Sequence, residues 1–440
     1  SGVDQVAVPV RLFVGDAPRG EQRVALGAGE SSTVRFTTVF NEPGFATLRI
    51  TAGDVDSPAA TFHVATDVAA SLPVAIVAGE TGRPFGENPA DFLELALSPS
   101  PQVEHLRTRV SPAALFDFAK LSRPQDRPAI VVLADVENLS ETDTGRLRTW
   151  VEDGGALLMF AGSRLDADWA SAATTDSGGV LPANIIGLAE RADRPAAPAD
   201  APHAHPALSL WNENAAGRLG EMQLRRHWQF DPQPNAGVVL RMTDGQPLIV
   251  EERLGRGVVL MVAVPADGTW SNLPLRAGFL PLVQQLALHA MQQSRRQTTV
   301  EQGEPLLVAI PADAQPVATL PNGQTQSLAT VADAGRPMAR LNKAAAPGLY
   351  EITDDGQRLA VFAVNALRDE ADPAMLSQEE LNDLAQSRDA SIARTADEFA
   401  QQDRLRRFGR EIWRPIWLVL MLVLFGELAL GGWVAREAQP

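Results

Sequence analysis

The chain has 440 residues, 45% of them hydrophobic and 21% charged, with a formal net charge of −16. That acidity argues against a nucleic-acid partner, because no basic surface is expected to offset phosphate repulsion. There is no cysteine, which removes disulfides, thiolate catalysis and cysteine metal sites together.

Residues 1–68 read as an all-β module. Val6, Val8, Val10, Leu12 and Val14 alternate, as do Val34, Phe36, Thr38 and Phe40, and 45–50 and 60–65 are further short strands. Turn residues at Gly15-Asp16, Pro43-Gly44 and Gly53-Asp54 separate them at the spacing of a small β-sandwich.

The pattern changes over residues 72–295. The runs 73–78, 129–134 and 156–160 are continuously apolar, as expected for strands buried on both faces. Helical stretches at 91–97, 112–121 and 142–153 alternate with them, so βαβ units and a parallel sheet are expected. Residues 189–206 are rich in Ala, Pro, Asp and Arg and read as an exposed loop. Strand-like pieces return at 221–230, 237–242, 247–252 and 257–264, and a helix over 275–293 closes the domain.

Residues 298–366 form a second small β module, with a hairpin turn at Asn322-Gly323. A charged helical linker follows over 374–410, then an apolar segment over 412–435. That segment is long enough to cross a bilayer, which needs roughly 20 apolar residues. Trp413 and Trp417 stand at one end and Trp433 at the other, as interfacial indoles do. Glu427 inside it suits either a partner helix or the interface. Arginines at 404, 406, 407, 410 and 414 precede the span, against Arg436 after it. Charge alone therefore points the large domains to the cytoplasm.

The order of modules resembles a known family. The runs Pro73-Val-Ala-Ile-Val-Ala-Gly79, Ala129-Ile-Val-Val-Leu-Ala-Asp135 and Gly154-Gly155-Ala156-Leu157-Leu158 carry the resemblance. So do Leu181-Pro182-Ala183, His205-Pro206, Gly245-Gln-Pro-Leu-Ile-Val-Glu251, Gly255-Arg-Gly257 and Trp270-Ser-Asn-Leu-Pro274. Together they are similar to the C-terminal half of bacterial membrane proteins with an aerotolerance-regulator (BatA-type) N-terminal region. The resemblance implies an immunoglobulin-like β-sandwich over 1–68. A flavodoxin-like, class I glutamine amidotransferase-like α/β domain is implied over 72–295, and a C-terminal transmembrane helix. It also implies N-terminal membrane helices upstream and soluble domains on the extracytoplasmic side of the bacterial inner membrane.

In amidotransferases a cysteine sits on the strand-to-helix turn, activated by histidine. The corresponding turn here is Ala161-Gly162-Ser163. Ser163 is either a nucleophile on an elbow or a small residue required by a sharp turn. His203 and His205 are spaced to chelate a metal from one face of a strand, or they belong to a solvated loop. Trp270 and Asn272 line a sugar- or peptide-binding groove, or else anchor the core and cap the helix near Leu273. The expectation is a non-enzymatic, membrane-anchored scaffold or binding component of an envelope complex of stress or aerotolerance type. It needs no cofactor, and its partners are other membrane or envelope proteins met through the span and the β modules. The alternatives are a Ser- or metal-dependent hydrolase and an extracytoplasmic sugar- or peptide-binding receptor.

Overall fold

The computed structural model of the chain describes residues 5–27, 30–53, 58–80, 82, 84, 86–100, 105–123, 127–213, 216–294, 298–311, 313–333, 336–367, 378–388, 390, 392–393, 395–408 and 413–437. They divide into two units, Ser1–Ala371 and Asp372–Pro440. The structure is mixed α/β with several sheets and one C-terminal apolar helix.

The alternating valines at the start form β1 (Gln5–Val14), which pairs with β2 (Ala17–Leu26) and β3 (Gly44–Ala52); β4 (Thr61–Val68) completes the sheet. The four strands are antiparallel in the order β2-β1-β3-β4. Residues 33–40, expected as a strand, join no ladder. Their alternation still holds for burial, with Val34, Phe36, Thr38 and Phe40 half-buried between exposed neighbours. Side-chain packing sets that period without a backbone ladder: Phe36 lies against Gly20, and Gln22 Nε2 donates to the Arg35 carbonyl at 2.8 Å. The described strands of this module make one sheet, where the sequence reading expected a sandwich.

The second module is built on β5 (Leu72–Ala78), α1 (Pro89–Leu97), β6 (Leu106–Pro112), β7 (Ile130–Ala134), α2 (Glu141–Glu152) and β8 (Ala156–Phe160). α3 (Ala167–Ala172), β9 (Ala183–Glu190), α4 (Ser209–Asn212) and β10 (Arg226–Pro232) follow. β11 (Gly237–Arg241), β12 (Pro247–Leu254), β13 (Gly257–Val262) and α5 (Phe279–Ser294) complete it. Seven strands share one sheet in the order β11-β12-β13-β8-β7-β5-β6. The five from β13 to β6 run parallel, β12 runs antiparallel to β13, and β11 runs antiparallel to β12. Every residue of β7, β8 and β13 is buried, which is why these strands are continuously apolar. α1 starts where Asn88 Oδ1 accepts from Ala90 N and Pro89 occupies the first turn. The helix expected over 112–121 is two 3-10 turns, Ala113–Leu115 and Phe118–Ser122. Asp117 breaks the run by accepting from Ala119 N, a cap that starts a new turn in the middle of the expected helix.

The third module pairs β14 (Thr299–Glu301), β16 (Val317–Thr319), β17 (Thr325–Ser327), β20 (Gly348–Asp354) and β21 (Gln357–Asn365) in a five-stranded sheet. β15 (Leu306–Ala309), β18 (Ala329–Asp333) and β19 (Arg336–Leu341) make a three-stranded one. Leu306, Val308, Ala339 and Leu341 from the small sheet meet Ala318, Tyr350, Ile352 and Phe362 from the large one in a common core. Among the described residues two facing sheets with a common core are found here, while the first module shows one sheet.

The first and third modules are joined. Asn365, 5% exposed, donates from Nδ2 to the His63 carbonyl (2.9 Å) and accepts at Oδ1 from His63 N (2.6 Å). Its amide thus acts as one more strand residue on the free edge of β4, while Ala65, Val361 and Ala363 pack beside it. Asn365→Ala leaves both backbone groups of His63 unpaired, at about 1–3 kcal/mol for each buried group. The expected result is faster amide exchange at His63 than in the wild type; unchanged protection there would refute the clamp.

The second unit contains α6 (Gln378–Ser387), α7 (Ala396–Phe408) and α8 (Trp413–Glu437). Within α8, Trp413–Gly431 is long and apolar enough to span a membrane. Trp413, Trp417 and Trp433 are 56%, 59% and 63% exposed, and Glu427 is exposed as well. Ile412, the first residue of the expected span, lies outside the described residues.

Candidate functional site

Open α/β sheets place ligands beyond the carboxyl ends of their strands, where the strand order reverses. Here β5 leads to β6 on one side and the chain then returns to β7 on the other, so the reversal lies between Gly79 and Asp135. Asp135 packs into that crevice. Asp135 has a φ of +49°, in the left-handed region. A Cβ on Gly79 would lie 1.8 Å from the Asp135 carbonyl oxygen, and one on Gly162 2.4 Å from Asp135 Oδ1. Only glycine permits either approach.

Asp135 Oδ1 accepts from Arg164 N at 3.0 Å, and the Gly162 N–H also donates to this carboxylate. The Asp135 side chain thereby clasps the Gly162-Ser163-Arg164 turn. Burial pushes its pKa up to about 6, and the negative charge of Asp267 adds to the rise against the two backbone donors. Such a displaced carboxyl in a crevice is a common mark of functional sites. Asp267 is itself committed, its Oδ1 accepting from the Thr269 amide and hydroxyl. Arg164 pairs outward with Glu137 at 3.3 Å and Glu80 at 4.0 Å.

Ser163 is exposed on this turn. Among the described residues no hydrogen bond joins its hydroxyl to a histidine. Trp228 Nε1 donates to the Gly162 carbonyl at 3.0 Å and the Trp228 ring lies 5.8 Å from that of Trp270. Trp270 is 3% exposed, a core anchor beneath the turn rather than the wall of a groove. Asn272 does not cap the 3-10 turn that begins at Leu273. Its Oδ1 accepts from Gln223 N at 2.6 Å, and Ser271 Oγ takes Leu273 N instead.

The His203–His205 pair separates. The His203 backbone is tied to the Asn212 side-chain amide, and burial lowers the His203 pKa. His205 turns to β12, where its Nε2 lies 3.0 Å from Glu251 Oε1; His289 of α5 brings its Nε2 to 2.8 Å from Glu251 Oε2. The two imidazoles meet edge to face, 4.6 Å between centroids. Burial acts to raise the Glu251 pKa, but the two imidazole hydrogen bonds outweigh it and hold it at about 2.

Two histidines and a carboxylate within 4.8 Å could hold a metal by distance, and two His with one Glu is a known zinc set. The protons disagree. His205 Nδ1 accepts from Ala207 N at 3.3 Å, so in the neutral ring the proton sits on Nε2. A metal there would force Nδ1–H against the Ala207 N–H. The cluster is better satisfied as a carboxylate clamped by two imidazole N–H donors, pinning the 205–208 turn and α5 to β12.

Sequence spacing identified His205 but not its partners. Glu251 and His289 are 46 and 84 residues beyond it, and only the packing of α5 on the sheet unites them. Asp135 stood in the sequence as the last residue of an apolar run, with no local sign of its left-handed backbone.

No protein-family model and no curated protein matches the sequence. Among solved structures the chain is similar to a cytoplasmic protein of Salmonella typhimurium, at 15% identity and TM-score 0.38 over 50% of this chain and 98% of that one. It is also similar to a ThuA-like protein from Parabacteroides merdae, at 13% identity and TM-score 0.33 over 50% and 90%. A β-galactosidase from Rahnella is similar at 12% identity and TM-score 0.33, over 62% of this chain and 41% of that one.

Proposed function

We propose that the chain is a membrane-anchored, non-enzymatic scaffold or binding component of a bacterial envelope complex, its α/β domain an amidotransferase-like body serving as a support. The BatA-type kinship and the extracytoplasmic placement of the first unit belong to the same proposal. One observation carries it. Asp135 packs into the crevice where this class of sheet holds a ligand, and among the described residues no base is bonded to the nearby Ser163 hydroxyl. The apolar helix Trp413–Gly431 supplies the anchor.

The test has two parts. The full chain is expected to stay with membranes after alkaline carbonate washing, and a chain lacking 413–437 to be released. A screen of ester, amide and glycoside substrates is expected to give no turnover that depends on Ser163 or on the His205–His289 pair. An activity abolished by Ser163→Ala, or by His205→Ala with His289→Ala, would overturn the scaffold reading in favour of a hydrolase.

A further inference from the structure

In a chain of net charge −16, three cations gather at the outer edge of the seven-stranded sheet. Arg107 and Arg109 lie two apart on β6, the last strand of that sheet, and so project to the same face. Lys120 approaches from the 3-10 turn Phe118–Ser122. All three line one cavity of about 440 Å³. Arg127, Arg148, Arg164 and Arg218 elsewhere in the unit each hold an acidic partner. Among the described residues, Arg107, Arg109 and Lys120 have none. Among the described residues Asp117 is the only acidic one lining the cavity, and its Oδ1 is already occupied by Ala119 N.

Charged residues on an edge strand also discourage strand addition. That role explains neither a cavity nor Lys120. The remaining walls have a definite chemistry: Thr108 and Ser111 contribute neutral polar groups, while Pro73, Leu115 and Phe116 are apolar, Leu115 being 78% exposed.

We propose that this cavity binds a phosphate monoester. Among the described lining residues, three positive side chains against one carboxylate leave two positive charges, which a monoester dianion balances. Two guanidinium forks suit the oxygens of a phosphate better than point charges do. The volume lies in the range of small-molecule sites, roughly 300–1,000 Å³, and exceeds what the phosphate alone would fill. The apolar wall at Leu115 and Phe116 takes the organic group of the ester. This ligand site is separate from the crevice at Asp135 and does not depend on the scaffold reading.

The test is calorimetric titration of phenyl phosphate into the full chain in phosphate-free detergent, beside dimethyl phosphate, whose diester carries the chemistry of a lipid headgroup. Phenyl phosphate is expected to bind, more weakly as salt rises, and dimethyl phosphate to bind about tenfold more weakly or not at all. Arg107→Gln and Arg109→Gln are each expected to weaken phenyl phosphate about tenfold without moving the melting temperature, since both side chains are exposed and have no acidic partner among the described residues. Lys120→Met gives the same reading from a different element should a strand variant fail to fold. No binding at millimolar phenyl phosphate, or undiminished affinity in all three variants, overturns the proposal. Equal affinity for the diester overturns the monoester class and assigns the cavity to a lipid phosphate.

Discussion

Glu251→Gln lowers the unfolding free energy of the α/β domain by about 3 kcal/mol at pH 7, the scale for removing one partner from a buried charged network. The wild-type carboxylate accepts from both His205 and His289. A glutamine offers one oxygen and, on its other side, an amide that is itself a donor. His205 cannot adapt, because Ala207 N holds its Nδ1 as an acceptor. His289 must then change tautomer to accept from that amide, and both charge-assisted bonds to the carboxylate are lost. The acid dependence follows from the depressed pKa of Glu251. Its contribution is complete above the unfolded value of 4.5 and is lost as the pH falls through about 2. The difference between wild type and variant should thus be present at pH 5–8 and shrink in strong acid, as read by denaturant unfolding. Zinc and chelators should leave the wild-type melting temperature unchanged. A zinc-dependent rise would show His205 exchanging its Ala207 bond for a metal, and would replace the clamp with a metal centre.

Asp135→Asn has the opposite sign. Its pKa is raised by burial and by Asp267 to about 6, from 3.8. The stability tied to that shift is present below the unfolded value and is lost as the pH rises through about 6. About two pKa units correspond to roughly 3 kcal/mol as an upper bound. An asparagine keeps an oxygen for the Arg164 and Gly162 amides and carries no charge to desolvate. It also tolerates the φ of +49° at this position. The variant should therefore be more stable than wild type at pH 8 and lose that advantage by pH 4. Melting curves taken across this range check it. Parallel pH profiles for the two proteins would mean that Asp135 is not the titrating group.

The central strands were legible in the sequence because burial on both faces leaves no room for polar residues. β5, β7 and β8 therefore appeared as unbroken apolar runs. β2 was not legible: its sequence, Ala-Pro-Arg-Gly-Glu-Gln-Arg-Val-Ala-Leu, is mostly exposed at a sheet edge and has no side to hide. Residues 33–40 show the converse error, since alternation reports which side chains are covered and not whether the backbone is paired. The candidate site was harder for a different reason. Asn272 finds Gln223 49 residues back, and Glu251 gathers its histidines from 46 and 38 residues away. Contacts of that range are set by how helices and turns settle on the sheet, which no local spacing encodes. The apolar C-terminal helix needed no such packing to be read, because its sequence is apolar on all sides.

The bond between Asn365 and His63 closes a loop of 302 positions, which makes the α/β domain an insert between two β modules that hold each other directly. Tension applied between residues 5 and 367 is then borne first by that junction, as shear across the edge of β4. The central domain stays unloaded until the junction slips.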